Sequence, residues 1–178
     1  MAAGNTYTPI ATYTVSGSST ASYTFSSIPS TYTDLAVVAF VRSTTAATTT
    51  GFLCQVNGQI GNYYDGFILR GDGTSVTSAR YNKFINPTYA APVGTMVANN
   101  AALGTFSNHV IDWNNYSNTT TYKTFLARSN SQNSTAGNAE EVVNMYFATL
   151  AISSITFFPE AGNFASGSII SVYGIKAA

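Results

Sequence analysis

Few residues of this chain have side chains that could do chemistry. His109 is the only histidine and Cys54 the only cysteine among 178 residues. Any Ser-His-Asp or Cys-His arrangement must therefore use His109, with Asp112 or Cys54 brought to it by the fold. His109 alternates with Trp113 in a run typical of a strand, where a lone histidine is more often packed than catalytic. Cys54 lies in the apolar run GFLCQV and is expected to be a buried thiol. The sequence thus predicts no enzyme and no catalytic residue.

Metal and cofactor ligands are also sparse. The chain has no second histidine, no CxxC pair and no Asp-x-Asp-x-Asp-Gly calcium loop. Asp65 and Asp72 flank a predicted hairpin and give only a weak calcium signal. Gly71 and Gly73 precede no predicted helix, so they do not form a phosphate loop. Arg70, Gly71 and Asp72 spell a tripeptide known for cell adhesion, but here it is typical of a turn with an optional salt bridge. We expect no metal and no cofactor.

Aromatic rings are the remaining candidates for binding. Five of them could stack on a sugar ring, because an aromatic side chain combines an apolar plane with a polar tip; they are Tyr63, Tyr64, Trp113, Tyr116 and Tyr122. The alternative, which the sequence favours, is that these rings fill the core or an interface between subunits, where aromatics are common. The residues predicted for such an interface are Tyr7, Pro9, Ile10, Tyr63, Tyr64 and Tyr116.

Composition limits the partners of the chain. Its seven basic and seven acidic side chains cancel, so no basic field is available to hold nucleic acid. Charged residues make up 8% of the chain and hydrophobic residues 45%, a balance that protects an isolated monomer poorly against association. We therefore expect a homo-oligomer, with a trimer favoured, or a larger assembly. There is no signal peptide and no apolar run of about 18 residues, so we expect assembly in the cytoplasm and no membrane partner.

Alternation of apolar and polar residues predicts the elements that would position these side chains. Residues 152–176 contain two strands joined by a loop, and the second is apolar on both faces, as is typical of a strand covered on both sides. Residues 35–41 show the same pattern. Such runs recur about every ten residues, which predicts an all-β, single-domain antiparallel β-sandwich or jelly roll of about 8–10 strands. The predicted core consists of Leu35, Val37, Phe40, Ile111, Trp113, Ile155, Phe157, Ile170, Val172 and Tyr173.

The N-terminal part of the chain gives two further expectations. Residues 1–10 are mostly small and polar, and they are predicted to form an arm in front of a sandwich domain at residues 11–178. Residues 12–15 and 21–25 alternate around SGSST and are predicted to pair as a hairpin with an aromatic inner face.

The middle of the chain is less regular. Residues 80–97 contain prolines and glycine and are predicted to be a long irregular connection, and residues 129–138 a solvated loop. Residues 106–113 are predicted to be a strand. Residues 138–150, NAEEVVNMYFATL, could begin a helix at their polar start, but their β-branched and aromatic residues favour a strand.

Five stretches carry a resemblance to a known group of proteins. They are YTFSSIPSTYTDLAVVAFVRS (23–43), FILRGDGTSV (67–76), NHVIDWNNYSNTTTYKTF (108–125), AISSITFFP (151–159) and SIISVYGIK (168–176). In hydrophobic spacing and turn residues these stretches, which span most of the chain, resemble small β-sandwich virion proteins of tailed bacteriophages, particularly phages of cyanobacteria and other aquatic bacteria.

The resemblance implies a structural role on a virus particle, with the phage major capsid protein or other virion subunits as partners. It allows two positions on the particle. One is a decoration, or cement, protein that stabilises the phage head. The other is a receptor-binding or glycan-binding module of a tail or fibre. Fibres usually carry a shaft repeat or a coiled coil, and the sequence contains neither, so the decoration protein is favoured.

Overall fold

A computed structural model describes residues 6–81, 90–133 and 136–176 of the chain. In this part of the chain every regular element is a β-strand, and there are more strands than the sequence predicted. The strands are β1 (Tyr7–Thr14), β2 (Tyr23–Phe25), β3 (Asp34–Val41), β4 (Thr49–Val56), β5 (Tyr64–Gly71), β6 (Val76–Tyr81), β7 (Ala91–Val97), β8 (Ser107–Trp113), β9 (Lys123–Gln132), β10 (Gly137–Tyr146), β11 (Ile155–Pro159) and β12 (Ile169–Ile175).

The strands form two antiparallel sheets around one apolar core. The larger sheet has eight strands in the order β1-β12-β3-β8-β9-β10-β5-β6, and the smaller has four in the order β2-β11-β4-β7. Buried residues from both sheets form a single hydrophobic cluster. The antiparallel β-sandwich predicted from alternation is therefore confirmed.

Most of the predicted core is buried between the sheets. The buried residues are Leu35, Val37, Ile111, Trp113, Ile155, Phe157, Ile170 and Val172. Trp113 of β8 stacks on Phe125 of the neighbouring strand β9, with the ring centroids 3.8 Å apart. The inward residues of each strand alternate with outward ones, as the pleat of a strand requires.

Two predicted core residues lie outside the core. Phe40 is 40% exposed and stacks on Phe106 rather than on the sandwich interior. Tyr173 is only partly buried, and its ring meets the ring of Tyr7 edge-on. Both were placed inside because β3 and β12 are apolar on both faces, but no second layer covers their outward faces in the described residues. The apolar pattern was recognised correctly, and the inference that both faces are covered was wrong.

Part of the predicted arm is a strand. Tyr7 and its neighbours form β1, which pairs with β12 from the Tyr7–Ile175 pair to the Thr14–Ile169 pair. Pro9 is tolerated because β1 is an edge strand and its register shifts between Pro9 and Ala11. The assignment of residues 7–10 to an arm is thus corrected, and residues 1–5 lie outside the described residues.

The predicted N-terminal hairpin is also wrong. β1 and β2 belong to different sheets, and β2 pairs with β11. The expected aromatic contact nevertheless forms, because the rings of Tyr13 and Tyr23 stack with centroids 3.6 Å apart. The chain likewise crosses between sheets from β11 to β12, through a loop in which Phe164 is fully buried.

The middle of the chain is more regular than its prolines suggested. β6 and β7 occupy both ends of the segment predicted to be irregular, and residues 82–89 between them lie outside the described residues. Pro92 fits into β7 because β7 is an edge strand, and the register with β4 shifts between Phe52 and Leu53. β9 and β10 extend into the predicted loop at residues 129–138. The preference for a strand over a helix at β10 is confirmed.

In the part of the chain that the structure describes, no helix is long and apolar enough to cross a membrane.

Candidate functional site

His109 packs inside the sandwich. It is fully buried, its Nδ1 donates to the carbonyl oxygen of Val93 at 3.2 Å, and its ring meets Phe52 edge-on. Burial lowers the pKa of His109 to about 4, against weaker opposing effects of the Val93 hydrogen bond and the charge of Glu140. Nε2 has no hydrogen-bond partner among the described residues. His109 is therefore held neutral, with its proton on Nδ1.

The other two groups of the possible triads point elsewhere. Asp112 lies three residues after His109 on the same strand, so its side chain is on the opposite face, where it pairs with Arg128 at 3.2 Å. Cys54 is fully buried, and burial raises the pKa of its thiol far above the ordinary value. In this arrangement the three side chains do not form a nucleophile-base-acid relay.

His109 belongs to a group of buried polar side chains that we call the edge cap. Its members are Ser107, His109, Glu140 and Asn144, all on inward positions of β8 and β10. Each bonds to the backbone of β7. Ser107 Oγ accepts from the Val97 amide at 2.9 Å, and Glu140 Oε2 accepts from the Thr95 amide at 2.6 Å. Asn144 Nδ2 donates to the Pro92 carbonyl at 2.8 Å.

These contacts replace a neighbouring strand. β7 is the edge of the four-stranded sheet and pairs only with β4 among the described strands. The edge cap supplies donors and acceptors to backbone groups that β4 does not reach, and buried backbone groups need such partners. The buried polar residues, including the lone histidine, therefore have a structural role at this edge.

Glu140 is the most constrained member of the edge cap. Its side chain is fully buried, and Oε1 accepts from Arg70 Nε at 2.6 Å and from Thr95 Oγ1 at 2.7 Å. Arg70 Nη2 also donates to Thr95 Oγ1, and Ser129 Oγ donates to Oε2 at 3.2 Å. The sequence prediction missed this cluster. One sequence signal could have revealed it: Glu140 lies two residues before the apolar Val142, and therefore on the same face of β10.

The acidic residues around the hairpin of β5 and β6 are also in structural contacts. Asp65 pairs with Arg80 at 2.7 Å. Asp72 accepts from the amides of Thr74 at 2.9 Å and Ser75 at 2.7 Å, and hydrogen bonds from Thr74 and Ser75 lower the pKa of Asp72. Among the described residues no group of three metal-ligating side chains exists. Arg70 and Gly71 end β5, with Arg70 paired to Glu140, and only Asp72 of the Arg-Gly-Asp sequence lies in the turn to β6.

The predicted interface tyrosines divide into buried and exposed ones. Tyr64 is buried, accepts from the Val56 amide at 2.7 Å and donates to the Gln59 carbonyl at 2.9 Å. Tyr116 is fully buried and its hydroxyl donates to the Pro29 carbonyl. The interface assignment of these two tyrosines is therefore wrong, because their rings are buried within the subunit.

The remaining predicted interface residues are accessible to different degrees. Tyr7 and Pro9 are exposed, whereas Ile10 and Tyr63 are partly buried and pack against the core. Tyr7, Pro9 and Ile10 lie together on β1, and Tyr63 lies before β5 at the other side of the larger sheet. The structure does not bring them into one patch.

A larger accessible surface lies on the side of the eight-stranded sheet that faces away from the four-stranded sheet. We call this surface the outward face. Large apolar side chains on it are Val38, Phe40, Phe67, Leu69, Val76, Val143 and Ile169, each 38% exposed or more. The register sets Phe40 opposite Ile169 and Phe67 opposite Val143. The ion pairs of Asp112 with Arg128 and of Asp65 with Arg80 lie among these residues. Sequence reasoning assigned Phe40 to the core and overlooked the rest.

A crevice of about 450 Å³ lies where the larger sheet extends beyond β7. It is lined by residues of β4, β5, β6 and β7 together with Glu160. Four charged residues, Asp65, Arg70, Arg80 and Glu160, contribute to its wall beside Tyr81. The crevice therefore gathers several charged residues of a chain that has few of them.

No protein-family model, curated protein or solved structure matches this chain. Function is therefore inferred from geometry and composition.

Proposed function

We propose that the protein is a non-enzymatic structural subunit of a virus particle, most concretely a decoration protein that stabilises a phage head. The observation that carries this proposal is the outward face, an apolar surface on the largest element of a chain with little charge. Apolar surfaces of this kind mark contacts with other macromolecules. The partners proposed are the major capsid protein or other virion subunits, with the protein itself as a homo-oligomer.

The chemistry of the buried polar groups supports a role without catalysis. His109 and Glu140, which would be the natural acid-base candidates, are fully buried and hydrogen-bonded to the backbone of β7. Catalysis needs such groups within reach of a substrate. A capsid-bound subunit needs only a stable fold and a complementary surface.

The test is attachment of purified protein to particles that lack it, measured by co-sedimentation. Val143→Glu places a charge at the centre of the outward face and should lower occupancy about tenfold or more, while the subunit stays folded. Leu103→Glu is the matched control, because Leu103 is exposed in the loop between β7 and β8, is not one of the residues of the outward face, and should attach like the wild type. Equal attachment of Val143→Glu and wild type would reject the outward face as the contact.

Counting copies in purified particles separates the two positions on the virion. A number proportional to the capsid subunits is expected for a decoration protein. A small number confined to one vertex would instead favour a tail or fibre.

The crevice supports a second candidate, a glycan-binding module of a tail or fibre. Its volume falls in the usual range of ligand pockets, roughly 300 to 1,000 Å³. Tyr81 offers an exposed ring, and Arg70 and Glu160 offer charged groups to hydroxyls. Titration with neutral monosaccharides and oligosaccharides, followed by NMR, would show shifts that Tyr81→Ala removes and the exposed control Tyr122→Ala retains. Absence of any shift in the wild type would reject this candidate.

A further inference from the structure

The two sheets have four edges, and a sheet edge presents unpaired N–H and C=O groups to which another strand can add. The edge strands are β1 and β6 in the larger sheet and β2 and β7 in the smaller one. Proteins usually protect such edges with proline, bulges, very short strands or covering side chains. Three of these four edges carry a recognisable protection.

The edge at β1 is interrupted. Pro9 has no N–H to offer, and the register of β1 shifts between Pro9 and Ala11, so a continuous row of hydrogen-bonding groups is lacking. The edge at β2 is short, since the strand has three residues. Neither edge is a good template for a further strand.

The edge at β7 is occupied by side chains of the edge cap. Backbone groups of Pro92, Val93, Thr95 and Val97 already bond to Asn144, His109, Glu140 and Ser107. A strand that added to β7 would have to displace buried hydrogen bonds, one of them to a charged carboxylate. That displacement is costly, so β7 is closed to addition.

Within the described residues, the edge at β6 shows none of these protections. All six residues of β6 are exposed, with Val76 at 74%, and the strand contains neither proline nor glycine. Its register with β5 runs without a shift from the Gly66–Tyr81 pair to the Gly71–Val76 pair. Arg80 is its one charged residue. Among the described residues β6 pairs with β5 alone.

We propose that β6 is a strand-addition site at which a second copy of the chain binds through its own β6, antiparallel and related by a two-fold axis. The state of the four edges indicates that the occupant is a second copy of the chain. Pairing between two copies needs an open edge on both, and the described part of the chain offers only β6. A contact of this type is isologous, the symmetry of most homodimers. The eight-stranded sheets of the two copies then become one continuous sheet.

The residues of β6 are compatible with pairing to themselves. Outward side chains must lie opposite outward ones, and Val76, Ser78 and Arg80 share the outward face. A register centred on Ser78 sets Ser78 opposite Ser78 and Arg80 opposite Val76 of the other copy. The two Arg80 side chains are thereby kept apart, which avoids a like-charge pair. The apolar outward faces of the two copies also join on the same side.

Disulfide trapping tests this register directly. Ser78→Cys should give a covalent dimer on oxidation with copper phenanthroline, seen on a non-reducing gel, because the two Cβ atoms face each other across the axis. The native Cys54 is fully buried and should not interfere. Thr14→Cys is the matched control, an exposed position on the protected edge strand β1, and should give no dimer above the wild-type background.

A second variant removes the contact without creating a bond. Ser78→Lys places like charges opposite each other and should shift the wild-type dimer to a monomer that still unfolds cooperatively, as seen by light scattering and thermal denaturation, whereas Thr14→Lys should leave the mass unchanged. Three results would each overturn the proposal. They are a monomeric wild-type protein, a trimer whose mass Ser78→Lys does not change, and equal cross-linking of both cysteine variants. None of these outcomes bears on particle attachment, which the Val143→Glu comparison measures separately.

Discussion

At the scale of single residues, burial decides what the polar side chains can do. His109 has one hydrogen bond, from Nδ1 to the Val93 carbonyl, and a bare Nε2 enclosed by the core. Protonation of Nε2 would place a charge there without a partner among the described residues, which is why burial lowers the pKa. The same enclosure makes His109 a source of acid sensitivity.

The pH dependence has a definite sign. The pKa of His109 is about 4 in the folded protein against an ordinary value of 6.5. Between these values the unfolded chain binds the proton more readily, so the free energy of unfolding falls as pH decreases. We expect this residue to contribute about 3 kcal/mol that is present above pH 6.5 and is lost progressively towards pH 4.

Chemical denaturation at several pH values checks this prediction. Carboxylates also titrate in acid, so the useful quantity is the difference in slope between wild type and His109→Gln, in which the group that titrates is gone. The wild type should lose more stability than the variant between pH 6.5 and pH 4. Parallel curves for the two proteins would mean that His109 is not held neutral by burial.

Trp113 is a second residue whose role depends on burial. Its ring is fully buried and stacked on Phe125, so Trp113→Ala should lower the free energy of unfolding by about 3 to 5 kcal/mol. Leu103→Ala is the control, because Leu103 is 95% exposed and its loss should change stability by less than about 0.5 kcal/mol. Urea denaturation measures both. A small effect of Trp113→Ala would place the ring at the surface and make it a binding candidate again.

At the scale of elements, strands with clear alternation could be predicted and their partners could not. β8 and β11 were visible because apolar and polar residues alternate within them, and β3 and β12 because they are runs of apolar residues. The predicted hairpin of β1 with β2 failed because pairing depends on residues far along the chain, and β1 instead joins β12. β7 was missed because Pro92 and Gly94 suggest a loop, whereas an edge strand accommodates both residues.

The edge cap could not be predicted for the same reason. Glu140 in a strand ordinarily indicates a solvated face, and nothing local shows that β7 of the other sheet will cross above it. The interface assignments of Tyr64 and Tyr116 failed likewise, since a tyrosine that fills a core and one that fills an interface have the same local pattern.

The edge cap predicts that neutralising Glu140 will loosen β7. A glutamine at this position has one acceptor oxygen for the donors that Thr95 and Arg70 now direct at the carboxylate. Glu140→Gln should therefore cost about 3 kcal/mol of unfolding free energy and raise the hydrogen-exchange rate of the Thr95 amide. Glu141→Gln is the matched control, because the neighbouring side chain is exposed on the opposite face. Equal stability of the two variants would show that the Glu140 carboxylate does not support the edge.

At the scale of the whole molecule, the inequality of the sheets is the dominant feature. Eight strands face four, so the larger sheet extends past β7 and leaves the crevice at one side. Its outward face has no second layer in the described residues, yet its strands are apolar there. This combination explains why Phe40 and Tyr173 were placed in the core. A strand that is apolar on both faces can be covered by its own chain or by another, and the sequence of one chain does not distinguish these cases.

The position of β12 between β1 and β3 gives the last prediction. β12 carries the fully buried Val172 and nearly fully buried Ile170, and it bonds to strands on both sides. Removing residues 169–178 would open the core and separate β1 from β3, so we expect no cooperative thermal transition. Removing residues 1–14 takes away only an edge strand whose residues are exposed or half-buried. That variant should still unfold cooperatively, at a lower temperature, in near-ultraviolet circular dichroism. A cooperative transition in the variant without β12 would show that the sandwich forms without this strand.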